Sequence, residues 1–148
     1  MKVCLGVIDM PYDYGDTSAT TYEVAEDLQD RYQLFTHFFE SHKNEICAEV
    51  GEALAWSLIN HIQHGAPLTQ GELLGETMQQ FNIFLEREEM AGLAPGGFIN
   101  GNKVPTRAAL DGKNSRLKIE RGDPRPSFID GGLFKSSFVA WIGNDAES

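Results

Sequence analysis

A glycine-rich reversal near the C-terminus, Asp130-Gly131-Gly132, constrains the fold more than any other part of the sequence. The preceding residues 127–129 are partly apolar and follow a proline, which predicts a brief strand. A short helix is expected after the glycines, because Asp130 can accept hydrogen bonds from the unpaired N–H groups of a first helical turn. One of the two glycines is expected to adopt a positive φ, and the apolar residues 138–142 predict a returning strand. The residues expected to define this strand–turn–helix–strand corner are Asp130, Gly131, Gly132, Leu133, Ser137, Phe138 and Trp141.

The corner resembles the Asp-Thr-Gly-x-Leu-x-x-Ser-hydrophobic signature of bacteriophage tail-completion and head–tail junction proteins. The matching residues run from Pro126 to Trp141. The chain departs from the pattern at Gly131, where the family more often has threonine, so a side-chain hydroxyl cap is absent. The resemblance implies a structural corner without a catalytic role, in a small α+β subunit that assembles into rings between capsid and tail.

Residues 20–91 carry the apolar spacing of amphipathic helices. Capping boxes at 20–23 and 69–72, each a threonine followed three residues later by a glutamate, predict two helix starts. The prediction is three helices: one over about 20–40, a second that starts after a break at 41–44 and stops at Gly65, and a third over about 69–90. The middle helix is expected to bury one face, made of Ile46, Val50, Ala53, Leu54, Leu58 and Ile62, and further core residues are expected among Tyr22, Tyr32, Phe35, Phe38, Phe39 and Trp56.

The remaining apolar runs predict a small sheet. Residues 3–8 read as a strand, as do the residues that follow the C-terminal corner. A chain of 148 residues is long enough for one compact domain with a sizeable core. The predicted fold class is therefore α+β, with N-terminal amphipathic helices packed on a small antiparallel sheet and with a protruding hairpin or arm. The single domain, 1–148, is divided into a helical part at 20–91, an arm at 92–126 and the corner at 127–142.

The expected arm is rich in glycine and proline. Asn100-Gly101 between apolar residues predicts a β-hairpin over 98–104, and a helical turn at 108–110 and a strand at 117–120 are expected after it. A segment with so few large apolar residues is predicted to be mobile alone and to become ordered on a neighbouring subunit. The residues expected to contact that neighbour are apolar at Phe98, Ile99 and Val104 and basic at Lys103, Arg107, Lys113, Arg116 and Lys118.

The charges are segregated along the chain, which has a net charge of −10. Residues 1–90 contain 16 acidic and 4 basic residues, whereas residues 91–148 contain 6 acidic and 8 basic residues. An acidic helical part repels nucleic acid and anionic lipid, so neither is an expected partner. The basic C-terminal part is suited to meet the acidic part of another copy, although a negative surface also serves solubility alone.

Residues that carry chemistry do not converge in the sequence. His61 and His64 offer two ligands where a zinc site needs three or four, and histidines at a helix end more often bind the last carbonyls or water. Cys4 and Cys47 lack the basic neighbours that make a thiol reactive. Residues 92–97 lack the Gly-Lys-Ser or Gly-Lys-Thr of a phosphate loop. We therefore expect no enzyme activity, no metal and no cofactor.

No stretch has the apolar length of a signal sequence or a membrane span, which predicts synthesis in the host cytoplasm with reduced thiols. The resemblance implies a virion structural protein of the head–tail connector, neck or tail-completion ring. Its expected partners are copies of itself and other neck, portal-side and tail-tube proteins, with no membrane and no sequence-specific nucleic acid. The alternatives are a small cytosolic enzyme and a regulatory adaptor that uses the helical part.

Overall fold

The computed structural model describes residues 2–12, 19–68, 72–113, 121–129 and 132–143. Within these ranges, seven α-helices accompany two small antiparallel sheets of two strands each, so the predicted α+β fold class is confirmed. In chain order the elements are β1 (Lys2–Val7), α1 (Thr21–Tyr32), α2 (Leu34–Ser41), α3 (Lys43–His64), α4 (Gly75–Glu86), α5 (Glu89–Leu93), a 3-10 turn (Pro95–Gly97), β2 (Phe98–Ile99), β3 (Asn102–Lys103), α6 (Arg107–Leu110), α7 (Leu133–Ser137) and β4 (Phe138–Gly143).

The main sheet joins the two ends of the described chain. β1 pairs antiparallel with β4, and Leu5 lies opposite Ala140. Residues 72–74 extend the pairing along the other edge of β4, where the Leu74 N–H donates to the Ala140 carbonyl at 2.9 Å and the Ile142 N–H to the Glu72 carbonyl at 3.1 Å. Because side chains alternate between the faces of a strand, one face of β4 is buried. That face consists of Phe138, Ala140 and Ile142.

Stacked phenylalanine rings form the centre of the core. Phe81 of α4 stacks on Phe138 of β4 with ring centroids 3.8 Å apart, and Phe38 of α2 meets both rings edge-on. All three side chains are buried. Aromatic side chains of this size supply a large share of the apolar area that a chain of this length can bury. The core thus lies between α2, α4 and the sheet.

The first predicted helix is interrupted, so its expected range of 20–40 is wrong. Its start is confirmed, because the Thr20 hydroxyl accepts from the Glu23 N–H at 3.4 Å and the Glu23 carboxylate accepts from the Thr20 N–H at 3.1 Å. Gln33 then adopts a left-handed conformation with φ of 52° and separates α1 from α2. The Gln29 side chain accepts from the Phe35 N–H at 3.0 Å. A local side chain therefore satisfies a donor that the interruption exposes.

The other two predicted helices are present in the structure, but they begin at other residues than predicted. The middle helix begins earlier, at Lys43, and ends as expected where Gly65 takes a φ of 65°. The third helix does not start at the expected capping box: α4 begins at Gly75 and is capped by Leu74 without a side-chain hydrogen bond. Residues 69–71 lie outside the described ranges. The three predicted helices of residues 20–90 are thus α1 with α2, α3, and α4.

In the described part of the C-terminal corner, only the first predicted element, the strand at 127–129, is wrong. Residues 127–129 form a turn instead of a strand, in which the Ile129 N–H donates to the Pro126 carbonyl at 3.2 Å. Gly132 has a φ of 82°, which confirms the expected positive φ. The helix and the returning strand follow it as α7 and β4. Asp130 and Gly131 lie outside the described ranges.

The hairpin of the expected arm is confirmed, with Asn100 at φ 48° and Gly101 at φ 78° between β2 and β3. Its two apolar anchors, however, are not available to a neighbour. Ile99 is 5% exposed and Val104 is 2% exposed, and both belong to the core of their own chain. Their predicted intersubunit role is corrected for this reason, since a buried side chain already has its partners. Arg116, Lys118 and the expected strand at 117–120 lie outside the described ranges.

Candidate assembly interface

The longest helix, α3, has a second apolar side that nothing in the described chain covers. Its inner side packs on the core through buried Ile46 and through partly buried Val50, Ala53 and Leu54, as predicted. The opposite side carries apolar residues at the i, i+3, i+4 and i+7 spacing that places them in one stripe. Trp56 beside this stripe is 64% exposed, and Ile62 within it is 73% exposed. We call this surface the apolar face of α3; its residues are Ala55, Trp56, Leu58, Ile59 and Ile62.

The burial predicted from the sequence is therefore wrong for three residues of α3 and for Tyr22 of α1. Leu58 and Ile62 were expected on the buried side, but both side chains are exposed. Trp56 and Tyr22 were expected in the core, and they are exposed as well. Isolated exposed apolar residues are ordinary on protein surfaces, whereas a contiguous exposed stripe marks an interaction site.

Charge is distributed unevenly along α3. Residues 53–68 contain no aspartate, glutamate, lysine or arginine, although the chain as a whole carries a net charge of −10. Glu45 and Glu52 precede Ile59 at intervals of seven residues, which keeps all three on one side of the helix. Both glutamates are exposed. The outer side of α3 is therefore acidic in its first half and uncharged and apolar in its second half.

A third glutamate holds α3 against the neighbouring helix. The Glu49 carboxylate accepts from the Glu76 N–H at 2.9 Å and from the Thr77 N–H at 2.7 Å. The Thr77 hydroxyl donates to the same carboxylate at 2.6 Å. A negative charge at a helix start is favourable because the first N–H groups are unpaired and the helix dipole is positive there. Glu49 thus replaces the missing side-chain cap of α4 and fixes the direction of α3.

The hairpin presents a second exposed surface, on a different part of the molecule. Phe98 and Lys103 lie directly opposite each other in the β2–β3 pair, and Phe98 is 53% exposed. Lys103 is exposed too. Since Ile99 points into the core, the alternation along β2 sends Phe98 outward. We call Phe98 and Lys103 the hairpin pair. Of the predicted arm residues that are described, these two, Arg107 and Lys113 are exposed.

Groups capable of acid–base chemistry occur elsewhere in the helical part. His42 Nε2 lies 2.8 Å from a carboxylate oxygen of Glu89, and the imidazole packs against the rings of Phe38 and Phe84. His61 Nδ1 lies 2.7 Å from the carbonyl oxygen of Ala66, which lies just beyond the end of α3. Burial raises the pKa of Tyr32, the neighbouring Arg31 lowers it and Asp27 raises it further.

The described residues offer no cluster of metal ligands. Among them, no three side chains of histidine, cysteine, aspartate or glutamate are grouped so that they could hold a metal ion. Cys47 is exposed on α3 and Cys4 lies on β1. In the same ranges, no helix combines the length and the apolar content needed to cross a bilayer.

The corner residues occupy structural positions. Ser137 is buried, and its hydroxyl donates to the Phe134 carbonyl at 2.7 Å, which closes α7 before the chain enters β4. Phe138 enters the core, while Trp141 lies on the other face of the sheet across Gly6. The described part of the corner therefore connects the sheet to the helices.

Comparison with known proteins identifies no relative: the chain matches no protein family model, no curated protein and no solved structure.

Proposed function

We propose that this chain is a structural subunit of a bacteriophage virion at the head–tail junction, where it acts by binding copies of itself and neighbouring proteins. The observation that carries the assembly role is the apolar face of α3. Five neighbouring positions on the outer side of a 22-residue helix expose apolar side chains to water. A folded protein rarely retains such a stripe unless a partner covers it.

The composition of this face is that of an interface centre. The buried centres of protein–protein interfaces are depleted of charged residues and enriched in aromatic side chains such as tryptophan. The apolar face of α3 has Trp56 at its edge and lies within the uncharged stretch 53–68. The first half of the same side of α3 carries exposed Glu45 and Glu52, and these charges favour solubility and confine association to the apolar half.

The virion assignment is supported by the C-terminal resemblance. The signature of tail-completion and head–tail junction proteins implies a strand–turn–helix corner; the chain has the helix after Gly132, whereas residues 127–129 before it form a turn. In this proposal the chain is made in the host cytoplasm and becomes part of the neck or tail-completion ring. Its neighbours there are portal-side and tail-tube proteins.

Purified virions produced from the genome that encodes this chain provide the test. We expect mass spectrometry to detect the chain in the particles, and loss of its gene to leave unjoined heads and tails in electron micrographs. Complementation with Ile62→Glu should fail, because a charge in the apolar face of α3 blocks its burial. Complementation with Gln79→Glu, which adds the same charge at an exposed position of α4, should succeed. Joined particles that lack the chain altogether would refute the virion role.

A further inference from the structure

We infer, on the basis of the assembly role proposed above, that the apolar face of α3 binds the β2–β3 hairpin of a second copy of this chain. The two surfaces are complementary in both polarity and charge. One is an apolar stripe that continues into exposed Glu45 and Glu52; the other is an exposed phenylalanine paired with an exposed lysine.

On α3, the charged and the apolar residues of this contact follow one another along the helix. Trp56 and Ile59 lie three residues apart and are exposed on the outer side of the helix, and Glu52 lies one turn before Trp56. A side chain such as Phe98 that enters between Trp56 and Ile59 therefore has a carboxylate within one helical turn. The cross-strand neighbour of that phenylalanine is Lys103. The lysine thus meets Glu52 as Phe98 becomes buried.

Contacts within its own chain fix the position of the hairpin. Ile99 and Val104 anchor it in the core, and the Asn102 side chain donates to the Arg31 carbonyl at 3.1 Å. The turn at Asn100 and Gly101 has the left-handed conformations that a tight two-residue hairpin needs. These contacts hold the hairpin in place within its own chain, contrary to the mobility expected from its composition, so binding has less to order and less affinity is lost.

Charge favours this pairing over the association of two identical faces. In a parallel contact between two α3 helices, four glutamates of the same sign would share one interface, and in an antiparallel contact the glutamates would meet no lysine or arginine. The hairpin, in contrast, supplies Lys103 and, nearby in the sequence, Arg107. The Arg107 side chain is 91% exposed and its guanidinium lies 3.6 Å from the Asp111 carboxylate. Since the two surfaces belong to different parts of the chain, repeated contacts join copies head to tail, as a ring or an open chain requires.

Complementation between two defective copies tests the contact directly. Ile59→Glu removes the α3 surface and leaves the hairpin intact, and Phe98→Glu removes the hairpin surface and leaves α3 intact. Both positions are exposed, so both variants should fold, which circular dichroism and thermal unfolding will verify. By sedimentation velocity, wild-type chain should form larger species as concentration rises, and each variant alone should remain monomeric. An equimolar mixture should form 1:1 dimers and nothing larger, because each dimer leaves only the two defective surfaces.

Charge reversal gives a second measurement on the same contact. Glu52→Lys and Lys103→Glu should each weaken association by about tenfold or more, and the two changes combined in one chain should restore it. Association should also weaken as salt concentration rises. Retention of self-association by Phe98→Glu, or its absence in wild-type chain at every concentration measured, would overturn the hairpin contact. The virion role would survive either result if Ile62→Glu still fails to complement, which would assign the apolar face of α3 to another neck protein.

Discussion

The core and the apolar face of α3 contain the same kinds of side chain in opposite environments. In the core, Phe81 and Phe138 are buried and their rings lie 3.8 Å apart. On α3, Trp56 and Ile62 are exposed. Both groups follow the regular spacing that sequence reasoning assigns to a buried surface. The comparison shows that apolar periodicity alone does not distinguish a surface that its own chain buries from one that it leaves exposed.

Truncation of a core ring should have the largest effect. Phe81→Ala removes a buried ring that contacts Phe35, Phe38, Phe84 and Phe138. We expect the free energy of unfolding to fall by about 3–5 kcal/mol, from lost burial and from the cavity left behind. Urea unfolding followed by circular dichroism measures this loss. A loss below about 1 kcal/mol would show that the aromatic cluster is not the centre of the core.

The Glu49 cap should have the next largest effect. Glu49→Gln keeps the shape of the side chain and removes the charge that accepts hydrogen bonds from two N–H groups and one hydroxyl at the start of α4. We expect a loss of about 2 kcal/mol in the free energy of unfolding. Glu52→Gln, one turn later on the same helix and exposed, is the matched control and should change stability by less than about 0.5 kcal/mol. Equal effects of the two changes would contradict the cap.

Replacement of the corner glycine should have a smaller effect, because a side chain there strains only the backbone. Gly132 has a φ of 82°, and a Cβ built there meets nothing within 4 Å. Gly132→Ala should therefore cost about 1 kcal/mol, the penalty of a left-handed conformation without an added clash. Thermal unfolding measures the shift. Gly51→Ala, at a helical glycine with equally open surroundings, should instead increase stability.

The sequence predicts the parts of the fold that depend only on residues adjacent to each other in the sequence. The hairpin at Asn100 and Gly101 and the reversal at Gly132 follow from the preference of these residues for positive φ, which is a local property. The interruption at Gln33 was not predictable, because it depends on the Gln29 side chain reaching the Phe35 N–H. The start of α4 was missed because its cap, Glu49, lies on another helix.

The candidate interface was only partly predictable, for a related reason. The sequence predicts that the hairpin pair contacts a neighbour, since apolar and basic residues flank a recognisable turn. The α3 surface was assigned to the core, because a helix with apolar residues at positions 54, 58 and 62 resembles any buried helix. One signal was present: residues 53–68 contain no charged residue, so this part of α3 has no charged side to face water. A helix that is apolar on all sides is usually buried on all sides.

Ile62→Ala should have the smallest effect, and its comparison with Ile46→Ala on the same helix separates the two environments most clearly. Ile62→Ala removes an exposed side chain, so little buried area is lost, and alanine favours the helix by a few tenths of a kcal/mol over isoleucine. We expect the free energy of unfolding to stay within about 0.5 kcal/mol of wild type, measured by urea unfolding at a concentration where the chain is monomeric. Ile46→Ala makes the identical chemical change at a position that is 1% exposed and should cost about 2–5 kcal/mol. If Ile62→Ala cost as much as Ile46→Ala, the monomer itself would cover this side of α3, and the helix would have no free face for a partner.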